Sequence, residues 1–222
     1  MNKNKTDILL IQPHSDDILF SSAKYLFESS GYKSVTILTF ENDEKRIRED
    51  KKLLDYFGNL SIEHLDVDYI DKSHKEYFQQ NKRVSDNAFQ FLEAKMGEKK
   101  MISFAHQYKK YLSEKKKKCK NLEIITCLGV GHPFHYFVNF LTSSEADYFY
   151  REFPHSYKRR NQEQFKELMA EGYKLSHEYD EKEMNELKFQ IASKVYRSQS
   201  GLMFFEYGYI KKLLAEQYFI KK

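Results

Sequence analysis

The first 130 residues of the chain alternate between short apolar runs and segments with helical periodicity. Continuous apolar runs and one weaker alternation predict strands at 8–11, 35–40, 61–67 and 122–128. Segments in which apolar residues recur at helical spacing predict helices at 18–27, 46–57 and 85–118. Because strands alternate with helices, we expect a mainly parallel sheet with helices on both faces, a three-layer α/β/α fold.

The chain beyond residue 135 is predicted to be mostly helical. Its candidate helices span 161–172, 181–198 and 209–218. The aromatic stretch from Tyr148 to Pro154 is interpreted as a loop. Since no repeat, low-complexity linker or clear boundary interrupts the sequence, residues 1–222 are predicted to form a single domain.

Charge and composition limit the binding partners and the cellular compartment that we expect for this chain. The 37 basic and 33 acidic side chains give a net charge of +4 and are evenly mixed. The like-charge run from Lys115 to Lys118 has no interleaved aromatics, so we expect a solvated helix end and no nucleic-acid partner. Cys119 and Cys127 lack metal-type spacing and are expected to be free thiols. Without a membrane-spanning run or a signal-peptide core, we expect a cytoplasmic protein; homo-oligomerisation stays open.

Two short polar runs carry the candidate chemistry. Pro13-His14-Ser15-Asp16-Asp17 follows the first predicted strand, and His132-Pro133-Phe134-His135 follows the strand at 122–128. Parallel sheets build their sites outside the carboxyl ends of their strands. If both strands belong to one sheet, the two loops converge and can hold a divalent metal between them.

Histidine and carboxylate side chains at these positions suit a hydrolytic metal site. Two imidazoles and one carboxylate leave an open position on Zn²⁺, which lowers the pKa of bound water toward ~7. Asp16 and Asp17 fit a division between base and ligand, and the spare histidine could stabilise an oxyanion or protonate a leaving amine. His155, near the continuation of the second loop, is a candidate substrate contact.

Plainer interpretations exist for the same residues. Asp16 or Asp17 could simply cap the helix that follows, as paired aspartates often do. Gly129-Val130-Gly131 lacks the third glycine of a dinucleotide fingerprint and is interpreted as a tight turn into the histidine run.

Several motifs together resemble the LmbE-like, or PIG-L, family of zinc-dependent de-N-acetylases, which have a Rossmann-like fold and act on N-acetylglucosamine conjugates. The specific ones are Pro13-His14-x-Asp16-Asp17, Arg46-x-x-Glu49 and His132-Pro133-x-His135. Weaker matches follow in the same order along nearly the whole chain. They are Tyr148 to Pro154, Lys188-x-x-x-Ala192 leading to Tyr196-Arg197-Ser198-Gln199, and Ala215-Glu216-x-x-Phe219.

The resemblance implies a role for each matching residue. His14, Asp17 and His135 would bind Zn²⁺, or another divalent metal such as Fe²⁺, and Asp16 would be the general base. His132 would stabilise the oxyanion or protonate the amine, and Arg46 would contact substrate hydroxyls or a phosphate. The implied substrate is a small N-acetylated sugar or glycoconjugate.

Departures from the family pattern keep two other functions open. Ser15, Ile18 and the pair Ser21-Ser22 stand where the family usually has other residues. Phe134 replaces an aspartate that would orient an imidazole, a kind of loss that typically weakens metal binding ~10- to 100-fold. The alternatives are a weakly active or non-catalytic binding or scaffold protein of the same fold, and a zinc amidase that cleaves a bulkier amide.

Overall fold

A computed structural model describes residues 6–40, 43–65, 87–198 and 215–221 of the chain. Within these ranges, seven strands form a single sheet in the order β3-β2-β1-β4-β5-β7-β6. The strands are β1 Asp7–Gln12, β2 Ser34–Thr39, β3 Leu60–His64, β4 Leu122–Cys127, β5 Tyr148–Tyr150, β6 Tyr173–Tyr179 and β7 Glu216–Lys221.

The parallel core of this sheet matches the sequence prediction. Strand β1 is buried along its whole length and pairs in parallel with β2 on one side and β4 on the other. Parallel pairing continues from β2 to β3 and from β4 to β5. The strand order reverses between β1 and β4. Right-handed crossovers therefore place the helices that connect β1 to β2 and β2 to β3 on one face of the sheet, and the helices immediately before and after β4 on the other. The predicted three-layer, Rossmann-like α/β/α fold is confirmed.

The helices are shorter and more divided than the periodicity predicts. They are α1 Asp17–Ser21, α2 Lys24–Phe27, α3 Glu44–Leu53, α4 Ala88–Met96, α5 Glu98–Lys118, α6 Pro133–Thr142, α7 Gln162–Ala170 and α8 Lys182–Val195. The predicted helix at 18–27 divides because the backbone N–H groups of Ala23 and Lys24 donate to the Glu216 carboxylate instead of continuing the helix. Gly97, with φ of +84°, separates α4 from α5.

The C-terminal part contains strands that the sequence did not predict. The stretch interpreted as a loop contains β5, and β7 covers residues 216–218 of the predicted helix 209–218, whose residues 209–214 lie outside the described ranges. Strand β7 pairs antiparallel with both β5 and β6. The error arose because an aromatic-rich segment such as Tyr218-Phe219 fits either a strand or a helix, and only the partner strands decide between them.

Among the described residues, no helix is long and apolar enough to cross a membrane. Cys119 and Cys127 are both free thiols, as expected.

Candidate metal centre

The two polar runs meet where the strand order reverses. His14 follows the end of β1, and His132 follows the end of β4, its parallel neighbour. All five imidazole and carboxylate side chains of the runs are buried, namely those of His14, Asp16, Asp17, His132 and His135. The predicted convergence of the two loops at the carboxyl edge of the sheet is therefore observed.

Three polar atoms from these loops form a nearly equilateral triangle. His14 Nδ1 lies 3.0 Å from His135 Nε2 and 3.5 Å from Asp17 Oδ2. His135 Nε2 lies 3.4 Å from the same Asp17 oxygen. Two ligand atoms on a tetrahedral Zn²⁺, each about 2.0–2.2 Å from the ion, are roughly 3.3 Å apart. The donor set and its spacing therefore fit a small divalent metal.

Asp17 is held as a carboxylate that faces both imidazoles. Its Oδ2 accepts a hydrogen bond from the His14 backbone N–H at 2.8 Å. Although burial raises the pKa of this side chain, the charge of His135 and the hydrogen bonds from His14 outweigh it and lower the pKa to about 2. Asp17 is therefore ionised at neutral pH, as a metal ligand must be.

His132 lies close enough to compete for the same ion. One ring nitrogen each of His14, His132 and His135 lie within 4.8 Å of one another, a group that could hold a metal. However, His132 Nδ1 accepts a hydrogen bond from the Phe134 backbone N–H at 3.1 Å and so caps α6. In the neutral ring the proton is therefore on Nε2, which makes this nitrogen a donor rather than a metal ligand.

The structure does not support the interpretation that Asp16 or Asp17 simply caps the helix α1. Asp16 occupies the N-cap position of α1, but its side chain makes no capping hydrogen bond. Asp17 accepts from the His14 N–H, upstream of the helix. Both side chains are buried where β1 leads into α1.

Glu152 is a site residue that the chemistry of the two runs did not reveal. It is fully buried, and its Oε1 lies 3.6 Å from His135 Nδ1. The same oxygen accepts hydrogen bonds from the backbone N–H groups of Gly129 and Val130, just after β4. The available signal was weak: Glu152 is the acidic residue of the aromatic stretch that resembled a family motif.

The other predicted residues are placed as follows. The His155 ring centroid lies 5.0 Å from that of His135 and 5.6 Å from that of His132, so His155 borders the candidate metal centre. Phe134 is buried with its ring 5.6 Å from that of His14, which fills the position with an apolar side chain. Arg46 is half-buried in the first turn of α3, which begins at the same edge of the sheet.

The loop that carries His132 depends on a glycine. Gly131 has φ of +83°, and a Cβ there would lie 2.4 Å from Asn161 Nδ2 and 3.0 Å from His155 Cβ. Asn161 Nδ2 in turn donates to the His155 carbonyl at 2.6 Å. The backbone therefore turns tightly from β4 into α6, which Pro133 begins at its first position.

Comparison with known proteins identifies the fold. No protein-family model matches the sequence, and neither does any curated protein. The structure of an N,N'-diacetylchitobiose deacetylase from Pyrococcus horikoshii, complexed with its inhibitor, matches with a TM-score of 0.58 at 12% identity, covering 97% of this chain and 84% of that one. A conserved protein from Thermus thermophilus matches with a TM-score of 0.46 at 10% identity, covering 96% of this chain and 93% of that one. The first likeness shows that this chain shares the deacetylase's fold.

Proposed function

We propose that this chain is a single-domain, zinc-dependent de-N-acetylase of the LmbE-like, or PIG-L, kind. The observation that carries the proposal is the triangle of His14 Nδ1, Asp17 Oδ2 and His135 Nε2, with sides of 3.0 to 3.5 Å. It lies at the switch point of a fold shared with an N,N'-diacetylchitobiose deacetylase. The proposed reaction removes an acetyl group from a small N-acetylated sugar or glycoconjugate.

The proposed metal site assigns three ligands and one open position. His14, Asp17 and His135 would hold Zn²⁺, with Fe²⁺ as the alternative metal. The ion would lower the pKa of a coordinated water and polarise the acetyl carbonyl. Burial of the three side chains supports this assignment, because exclusion of bulk water strengthens their charge interactions.

The remaining residues carry the proton transfers and the substrate contacts. Asp16, next to the ligand Asp17, accepts the proton of the attacking water. His132 donates its Nε2–H to the carbonyl oxygen as negative charge develops there, a role supported by the Nδ1 hydrogen bond from Phe134. His155 and Arg46 are proposed to contact the sugar.

Replacement of the general base tests the proposal directly. Asp16→Asn should bind one zinc per chain, as the wild type does, because Asp16 is not a ligand. Its rate of acetate release from N-acetylated sugars should fall at least ~100-fold, a typical loss when a general base is removed. Unchanged turnover would disprove the role of Asp16. His106→Ala, on the exposed face of α5, serves as a control for substitution itself.

Phe134 specifically favours a non-catalytic or weakly active protein as the second candidate, because it places a phenyl ring rather than a carboxylate against His14. Metal analysis of the purified chain separates the two functions. One zinc per chain supports the enzyme, and no metal after exposure to excess zinc supports the scaffold. A panel of larger acyl groups in place of acetyl tests the bulkier-amide alternative.

A further inference from the structure

We infer that Glu152 is the positioning residue of the metal centre, which fixes the His135 ring so that Nε2 faces the ion. The inference rests on the proposed role of His135 as a metal ligand. Glu152 follows β5, so the fold brings it to the site from a third segment of the chain, separate from the loops after β1 and β4.

The first support is a pair of buried polar atoms. Within the described residues, neither His135 Nδ1 nor Glu152 Oε2 has a hydrogen-bond partner, and both side chains are fully buried. Buried polar groups in folded proteins are nearly always paired, so two such atoms on adjacent side chains indicate a shared function. A proton on His135 Nδ1, shared with the Glu152 carboxylate, would give this nitrogen its partner.

The second support is the position of the His135 ring between its neighbours. Its Nε2 is 3.0 Å from His14 Nδ1, slightly closer than the roughly 3.3 Å expected of two zinc ligands. Its Nδ1 is 3.6 Å from Glu152 Oε1, about half an ångström beyond hydrogen-bonding range. The ring of His135 therefore has one nitrogen near the proposed ligand atom of His14 and the other near the Glu152 carboxylate.

The third support is the way in which Glu152 is itself held. Two backbone N–H groups, from Gly129 and Val130, donate to its Oε1 and hold the carboxylate against the turn that follows β4. A carboxylate on Nδ1–H leaves the Nε2 lone pair free to bind a metal and makes it more basic. The chain thus supplies through Glu152 the orienting carboxylate that Phe134 cannot provide.

The test compares zinc affinity with the stability of the metal-free protein. Glu152→Gln keeps an oxygen for the two backbone N–H groups but removes the charge that favours a protonated Nδ1. We expect its Kd for zinc, measured by competition with a chromophoric chelator, to rise ~10- to 100-fold. The Tm of the metal-free protein should stay close to that of the wild type. Glu171→Gln, an exposed glutamate after α7, is the matched control and should change neither.

A conservative variant and a spectroscopic measurement separate positioning from general structural support. Glu152→Asp retains the charge and should bind zinc more tightly than Glu152→Gln. In the zinc-loaded wild type, ¹⁵N-histidine NMR should show a protected Nδ1–H on His135 that is lost in Glu152→Gln. The inference is wrong if Glu152→Gln binds zinc as tightly as the wild type, or if the two variants weaken binding equally.

Zinc affinity, measured together with acetate release, distinguishes failure of the inference from failure of the proposed function. A wild type that binds zinc but hydrolyses no N-acetylated substrate contradicts the proposed function and leaves the role of Glu152 standing. A wild type that binds zinc and deacetylates, with a Glu152→Gln variant of equal zinc affinity, contradicts the role of Glu152 alone. A wild type that binds no divalent metal contradicts both.

Discussion

The two histidines that flank Phe134 differ at the ring nitrogen Nδ1. A backbone N–H donates to Nδ1 of His132, so the neutral ring carries its proton on Nε2. Glu152 faces Nδ1 of His135, which favours a proton there and a lone pair on Nε2. Identical side chains three residues apart are thus suited to opposite tasks, a hydrogen-bond donor and a metal ligand.

This difference predicts that two alanine variants behave differently. His132→Ala should retain one zinc per chain while turnover falls by about 10²- to 10³-fold, since one donor to the developing oxyanion is lost. His135→Ala should lose most of its zinc as well as its activity. Metal analysis and acetate release measure both effects. Loss of zinc from His132→Ala would instead favour the cluster of three histidines as the ligand set.

Some residues of the candidate site could be predicted because they directly follow apolar runs that are recognisable as strands. His14, Asp17, His132 and His135 each follow an apolar run, and the carboxyl ends of parallel strands share one edge of the sheet. Glu152 was not singled out for this role because its partner is 17 positions away, a pairing that exists only after β4, β5 and α6 have packed. The tautomer of His132 was equally hidden, since a backbone N–H sets it.

At the level of elements, the turn from β4 into α6 controls the geometry of the second loop. Gly131→Ala should destabilise the protein by about 1–3 kcal/mol, because its φ of +83° is strained for alanine and the new Cβ overlaps Asn161 and His155. Urea unfolding measures the loss, and activity should fall further as His132 and His155 move. Gly58→Ala, whose Cβ would meet nothing within 4 Å, should change little. Equal stability of the two variants would contradict this account.

Helix boundaries illustrate what periodicity cannot predict. The apolar spacing over 18–27 is continuous, yet the helix is interrupted because the buried Glu216 carboxylate takes the N–H groups of Ala23 and Lys24. Glu216 lies almost two hundred residues after Ala23 in the chain, so no local sequence pattern predicts this interruption. By contrast, the break at Gly97 has a local cause, a glycine at positive φ.

At the scale of the whole molecule, the buried Glu216 carboxylate connects the C-terminal strand both to α8, through an ion pair, and to the N-terminal part of the chain, through the Ala23 and Lys24 N–H groups. Lys188 Nζ on α8 donates to Glu216 Oε1 on β7 at 2.6 Å, and both side chains are buried. Lys188→Met should destabilise the fold by about 3–5 kcal/mol in urea, because it leaves the carboxylate without its counter-ion. A double variant with Glu216→Gln should lose less than the sum of the single losses. Arg48→Ala, which breaks an exposed pair with Glu44, should have little effect. Additive losses would argue against a coupled pair.

A bound metal would cross-link two further segments of the chain, since its proposed ligands come from the residues that follow β1 and β4. Zinc at 100 times its Kd should stabilise the folded state by about 2.7 kcal/mol, which for a chain of this length raises Tm by about 5 to 10 °C. A chelator should reverse the shift, and differential scanning calorimetry measures it. Asp17→Asn, which removes one corner of the ligand triangle but keeps an oxygen for the His14 N–H, should unfold at nearly the same temperature with and without zinc. An equal zinc-dependent shift in this variant would mean that the stabilising ion binds elsewhere, and the proposed ligand set would be wrong.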